Sequence, residues 1–434
     1  MGVLRSLHQA GVLGPHPVRA VVVEGFTTRL AFGVVIFAMP LYARQLGMSL
    51  TEIGALVAMK ALVEPAVKPF MGRAVDRWGA RRGYLTAVTV RLIASVLLFT
   101  ATTPASLYAT RLVQGAASAA RDPASISVVA DSNEQKLGRA FSLSFGAKDL
   151  GAVSAGALGG LLLSGSGNDF RLLWAFVAAI SFVPVVVVWL WVPRPAPRRK
   201  DAAATAALAT TDPATGESTA GESTGEHPLK ARSPAGTRLF ADPRLRLLCA
   251  LGLFAGMTAH MTHGLFPILA SEVAGLTPGQ IGAIYSASVI VLLVVGPLAG
   301  LAADRYGAAP LTGARGIANT LSSLLYLAFP TAAGMLSGRL VDDAGKAAFR
   351  PPWGSLLAQA ARGAGPRGGR VAAGLDTALS VGEAAGPVIA ALLWDVWGLA
   401  AFLLVRAGLG IATEVLVTRR LVHTAPARAE QLRP

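Results

Sequence analysis

The chemistry available to this chain lies in charged side chains set inside long apolar runs. Lys60, Glu64 and Lys68 stand four residues apart, and Arg339, Asp342, Asp343 and Lys346 stand three or four apart. Such spacing puts each set on one helix face. Glu24 and Arg29, Arg111 and Gln114, and Lys148 and Asp149 add further polar groups, as do His260 and His263. A charge at the centre of a bilayer costs about 2.5–3.5 kcal/mol on insertion scales, so intramembrane charges face a bundle interior or a wet cavity. These residues are therefore candidates to line a polar solute cavity. Proton carriage needs a carboxyl able to stay neutral. Glu64, Asp342 and Asp343 each have a base one turn away, which favours the ionised form. Glu383 has no base within four residues and sits beside the Gly386-Pro387 step, so it ranks first as proton carrier, with Asp149 second. Two histidines three apart read as cavity wall, and no metal or cofactor is expected. No nucleophile–base pair is evident, so an enzyme is not expected. A Gly-x-x-x-x-Gly-Lys-Ser/Thr loop for ATP is missing from the sequence.

The chain has 434 residues, of which 53% are hydrophobic and 15% charged. Soluble domains carry about 25% charged residues. The formal charge of +15 comes from Lys and Arg in short loops between apolar runs. There they orient a membrane protein, and nucleic acid is not the expected partner. The single cysteine, Cys249, excludes an internal disulfide and a cysteine metal cluster. No cleavable signal peptide is evident.

These residues need helices to position them. Apolar runs near 20 residues, enough to cross about 30 Å of hydrocarbon, occur at about 19–42, 53–71, 84–102, 106–129, 139–163 and 172–192. Six more follow at about 246–270, 279–303, 310–329, 332–357, 370–394 and 399–421. The expectation is an all-α polytopic membrane protein with twelve transmembrane helices in two six-helix halves, 1–192 and 243–434. Between them, 193–242 is rich in Ala, Thr, Ser, Gly and Glu and offers no apolar face, so a disordered linker is expected there. Arg and Lys gather in the loops after even-numbered runs, and the opposite loops hold little beyond Arg44 and Arg171. That bias places both termini and the linker in the cytoplasm, and the protein in the cytoplasmic membrane.

The halves are copies. Gly72-x-x-x-Asp76-Arg77-Trp78-Gly79, followed by Arg81 and Arg82, returns 228 residues later as Gly300-x-x-x-Asp304-Arg305-Tyr306-Gly307. Gly47 matches Gly275, and Arg111-Leu-Val matches Arg339-Leu-Val, at the same offset. Gly151 matches Gly382 at an offset of three more residues. An even number of spans per copy keeps the copies parallel, as in many transporters.

Over nearly its whole length the sequence resembles the major facilitator superfamily, in its bacterial, twelve-helix, drug/proton-antiporter-like branch. Gly72–Arg82 resembles the family's loop motif between spans two and three. Arg111-Leu-Val-Gln114-Gly115 resembles the Arg-x-x-Gln-Gly motif of proton-coupled members. Gly382-Glu-Ala-Ala-Gly386-Pro387 resembles a helix-kink motif that drug antiporters carry in span five, whereas here it falls in span eleven. The resemblance implies an inner gate at Gly72, Asp76, Arg77, Gly79, Arg81, Arg82, Gly300, Asp304, Arg305 and Gly307. Asp76 would cap a neighbouring helix, and Arg77 would pair with Asp122. Arg350 stands where Asp122 stands in the first copy, so the second copy cannot latch alike. The resemblance also implies a proton-coupling role for Arg111.

The expected function is secondary active transport of a small polar, charged or zwitterionic organic solute, as a proton-coupled exporter and a monomer in the lipid bilayer. An uptake symporter of the same fold and a transport-inactive membrane sensor or enzyme are the alternatives.

Overall fold

The computed structural model describes residues 16–130, 137–193, 242–364 and 368–418. Most of the expected linker lies outside the described residues. Among the described residues twelve long helices are formed, with shorter turns of helix between them. In the first half they are α1 (His16–Gln45), α2 (Leu50–Trp78), α3 (Ala80–Thr100), α4 (Pro104–Ala130), α5 (Leu137–Gly165) and α6 (Phe170–Trp191). In the second they are α7 (Pro243–His263), α8 (Pro278–Tyr306), α9 (Ala314–Ala328), α10 (Ala332–Gly363), α11 (368–397) and α12 (399–412), the last two meeting at a kink at Gly398. Among the described residues six stretches are long and apolar enough to cross a membrane on composition alone. Helices such as α2, α5 and α10 fall short because they carry the charges read above, which they turn toward the interior.

Every glycine with a positive φ among the described residues belongs to a repeat pair. Gly47 and Gly275 have φ of 80° and 63°, Gly79 and Gly307 82° and 86°, and Gly167 and Gly398 66° and 84°. Each ends a helix in a conformation that costs a side chain strain. The duplication is thus written in the turns as well as the spans. It also corrects the reading of the hairpin: Gly72 lies within α2, and the turn is made at Gly79. Likewise α11 runs unbroken through Gly386-Pro387. There Gly382 and Gly386 let it pack against the backbone of α7 at Leu253 and Met257. Trp174 is buried against Tyr42 and Phe170.

Within the halves α1 packs on α5 as α7 packs on α11, and α2 on α4 as α8 on α10. The halves meet where α5 crosses α8 and where α2 crosses α11. A Cβ on Gly156 of α5 would come within 2.5 Å of the Gly282 carbonyl of α8, and one on Gly160 within 3.1 Å of Gly279 Cα. One on Gly54 of α2 would come within 2.6 Å of the Pro387 carbonyl of α11. Small residues at these crossings bring backbone against backbone, the usual solution where lipid offers no hydrophobic drive. A buried apolar core that includes Phe37, Ile53, Phe266, Tyr285 and Ala391 joins both halves.

Candidate functional site

A cavity of about 620 Å³ is lined by α1, α2, α3, α4 and α5 of the first half and by Arg350 of α10. From the expected residues it gathers Arg29, Lys60, Glu64, Lys148 and Asp149. Glu64 is held between Lys60 Nζ at 2.7 Å and Lys68 Nζ at 3.2 Å, the helix-face pairing its spacing foretold. Two cations lie over the ring of Phe32, Lys60 Nζ 4.9 Å and the Arg91 guanidinium 5.5 Å from its centre. Arg91 also donates to Ser118 Oγ at 3.1 Å.

Glu24 is fully buried beside the cavity. Arg121, itself a lining residue, grips it through both carboxylate oxygens, Nε to Oε1 at 2.6 Å and Nη2 to Oε2 at 2.7 Å. Tyr84 donates to the same carboxylate at 2.7 Å and Thr28 at 2.8 Å. Four donors from α1, α3 and α4 therefore meet one charge in a bidentate geometry strong enough to justify its burial. Glu24 was expected to line the cavity with Arg29, and it does not. Its partner is 97 residues away.

The second half gathers a different cluster. Asp342 and Arg406 are both fully buried, with Arg406 Nη2 2.6 Å from Asp342 Oδ1. Arg315 Nη2 stands 3.0 Å from the same oxygen, and Thr262 donates to Oδ2 at 2.9 Å. Arg406 spends its other donors on Thr258 O, Asn319 and the hydroxyls of Ser322 and Ser323. Asp343 pairs with Arg339 Nε at 2.8 Å and Lys346 Nζ at 2.8 Å. Arg339 reaches His263 Nδ1 at 3.2 Å and lies over the rings of Phe266 and Tyr285, 5.0 and 4.6 Å from their centres. His260 donates Nδ1–H to the Gly256 carbonyl at 3.1 Å, which fixes its tautomer.

His260, His263, Arg339, Asp342, Asp343 and Lys346 therefore do not line the cavity; their charges are taken up by one another and by Arg315 and Arg406. Gln114 and Arg111 lie outside it too. Arg111 is buried and donates to Gln114 Oε1 at 3.2 Å. Glu383 stands where α11 meets α7 at Gly256, and no hydrogen bond or ion pair ties it to another described residue. Sequence reading missed Tyr84, Arg91, Arg121, Arg315 and Arg406 as functional or structural centres. The signal was there for the arginines, each a permanent charge inside an apolar run.

The cavity residues occupy the parts of their helices nearest the Gly79 hairpin, and exposed Arg29 and Arg350 mark that end as accessible. The opposite end is bridged. Arg44 Nε stands 2.7 Å from Glu272 Oε1, a pair at equivalent positions of the repeat, 228 residues apart. Thr51 donates to Asp395 at 2.9 Å. At the hairpin Arg81, expected in the inner gate, donates to the carbonyls of Val192 at 2.7 Å and Trp189 at 2.9 Å, capping α6. Arg77 and Arg82 are exposed, as are Asp304 and Arg305, while Gly300 faces Pro351 of α10. The side chains of Asp76 and Asp122, and with them the expected latch, lie outside the described residues.

The sequence profile of the Major Facilitator Superfamily matches residues 24–267 and again 248–434. The chain belongs to that superfamily. Among curated relatives, the vesicular acetylcholine transporter of Homo sapiens is 30% identical over 139 residues, 32% of this chain and 26% of that protein. Multidrug resistance protein 2 of Bacillus subtilis (strain 168) is 26% identical over 167 residues, 37% of this chain and 40% of that protein. The chain thus spans well under half the length of either. Among solved structures, the nucleoside transporter NupG aligns over 94% of this chain and 98% of its own with a TM-score of 0.70 at 15% identity. A bacterial homolog of the human lysosomal transporter Spinster, in an inward-facing and unoccupied conformation, aligns over 94% and 95% with a TM-score of 0.66 at 14% identity. The superfamily and these neighbours are transporters, not enzymes. The fold is that of a multi-pass membrane protein with two parallel six-helix halves.

Proposed function

We propose that the chain is a secondary active transporter that moves a small polar, charged or zwitterionic organic solute across the cytoplasmic membrane by alternating access, as a proton-coupled exporter. The observation that carries this reading is a cavity of about 620 Å³, walled by both halves and reachable from the hairpin end while the other end is bridged. Its size falls in the usual range for small-molecule sites, roughly 300–1,000 Å³. With both termini cytoplasmic, as loop charge favours, this is the inward-facing form of a rocking pair of halves. The monomer holds a complete cavity. Asp149, in the cavity wall, and Glu383, which no ion pair ties to another described residue, are its proton-carrying candidates, and Arg77, Asp76 and Asp122 its inner latch. The test is flux in proteoliposomes carrying an interior pH dye. Addition of a transported solute to one side should drive protons the opposite way even with no imposed pH gradient, and Asp149→Asn or Glu383→Gln should uncouple the two flows while solute exchange persists. Solute accumulation that ignores the pH gradient in the unaltered protein refutes coupling.

A further inference from the structure

We infer that Arg111 and Gln114 form a subsite for a small anion, set deeper in the first half than the cavity. Five arginines are buried among the described residues. Four of them have a carboxylate within 3.0 Å: Arg121 has Glu24, Arg315 and Arg406 share Asp342, and Arg339 has Asp343. Arg111 is the fifth. It is 3% exposed, and its hydrogen bond among the described residues goes to a neutral partner, Gln114 Oε1 at 3.2 Å. Its Nε is buried with no acceptor. A guanidinium cannot shed its proton to escape burial, and buried charges in proteins are paired. The missing negative charge therefore belongs to something the described chain does not supply. The repeat marks the gap. Arg339 is followed by Asp342 and Asp343, whereas α4 has Gln114 and Gly115 at those positions and offers no acid at either. Gln114 accepts from Arg111 on its oxygen, so its amide nitrogen remains a donor beside the guanidinium. Neighbouring donors without a carboxylate call for a ligand that only accepts. The cavity residues of α4 are Ser118, Arg121 and Ser125, so Arg111 lies about two turns nearer the bridged end. From there its charge reaches Lys60 in the cavity wall. Glu64 does not answer for it, since that carboxylate is held between Lys60 and Lys68. An anion on Arg111 also offsets the repulsion between the two cations. The chemistry is that of one negative charge on a compact acceptor, either free chloride or the carboxylate of a solute.

The site does not need transport to be seen. Purified full-length protein in neutral detergent and a zwitterionic buffer is titrated with chloride as the sole small anion, and binding is read from broadening of the chloride NMR line. The unaltered protein should broaden it saturably, and excess bromide should narrow it again. Arg111→Gln should weaken the apparent affinity by about tenfold or more, the scale of one lost hydrogen bond to a charged group. Arg111→Lys should keep part of the binding, and Arg246→Gln, at an exposed arginine of α7, all of it. Acetate separates the two sources. Chloride that binds and is not displaced by acetate makes the free halide the occupant. Acetate that displaces chloride, or that raises the melting temperature of the unaltered protein but not of Arg111→Gln, shows that the site takes a carboxylate. Failure of both anions to act, or equal action on the unaltered protein and on Arg111→Gln, overturns the inference. Where Arg111→Gln does not fold, crystals of the unaltered protein grown in bromide and in acetate decide it, and density for neither at Arg111 Nε is the overturning result. Arg111-dependent binding in a protein that moves no solute in proteoliposomes would leave the anion site standing and sink the transporter reading.

Discussion

Helices α4 and α10 are the same helix written twice, and they have been put to opposite uses. Arg111 and Arg339 occupy equivalent positions. One turn on, α4 has Gln114 where α10 has Asp342, and a further turn on Ser118 answers Lys346. The first half thus keeps its mid-helix neutral and opens a cavity beside it, with a single buried carboxylate, Glu24, clamped at the edge. The second half fills the same depth with two acids and four bases and packs it shut. Five of the six basic groups around the cavity come from the first half. On the proposed reading the duplicated scaffold has one side that binds and one side that braces. A buried ion cluster is a costly brace unless every member is paired, and the second half's carboxylates meet that demand with partners from α7, α9, α10 and α12.

The brace breaks most severely. Arg406→Ala takes from Asp342 its nearest cation, leaving Arg315 and Lys346, and removes the donors that hold Asn319, Ser322 and Ser323. Losing one partner of a buried pair costs about 3–5 kcal/mol, so this variant should yield little monodisperse protein on size exclusion, and Arg406→Lys should not rescue it. Normal yield and thermal stability would make the cluster ornamental.

Glu24→Gln comes next. It leaves Arg121 buried without its carboxylate, with a loss of the same order, about 3 kcal/mol. Replacing both, Glu24→Gln with Arg121→Gln, should recover much of the melting temperature but not transport, because the double variant rearranges the cavity wall. If the double variant melts no higher than the single, the pair is not the unit described.

A smaller effect is expected at the bridged end. Arg44 and Glu272 are about two-fifths exposed, and such pairs contribute about 0–1 kcal/mol. Arg44→Ala should leave stability nearly unchanged yet slow labelling of a cavity thiol from the hairpin side, as the population shifts outward. The swap Arg44→Glu with Glu272→Arg should restore it. Equal labelling in all three proteins would strip the pair of a gating role.

The spans, the duplication and the helix-face pairs of α2 and α10 were legible because each depends on residues within a few turns of one another. Lys60 to Glu64 and Arg339 to Asp343 need only the 3.6-residue period. Glu24 to Arg121 and Asp342 to Arg406 depend on which helices lie side by side and at what rotation, and local spacing carries neither. The polar residues of α10 illustrate the limit. Their spacing put them on one face, and that face was read as cavity wall. Arg315 and Arg406, arriving from α9 and α12, turn it into the interior of a half. The hairpin was legible as a motif and misread as geometry, since Gly72 and Gly79 are both glycines and only the left-handed turn at the second distinguishes them.

The crossings between halves have a mechanical consequence. Where α5 meets α8 the surfaces are nearly toothless, because Gly156 and Gly282 present no side chains that would have to climb over one another as the helices turn. Two hydroxyls interrupt it among the described residues. Ser286 donates to the Val153 carbonyl at 2.5 Å and accepts from the Ala157 amide at 2.9 Å, and Ser164 accepts from the Gly279 amide at 2.9 Å. On an otherwise smooth bearing such catches act as a detent. They hold the joint at one angle until three hydrogen bonds release, so they set how often the halves swing more than how far.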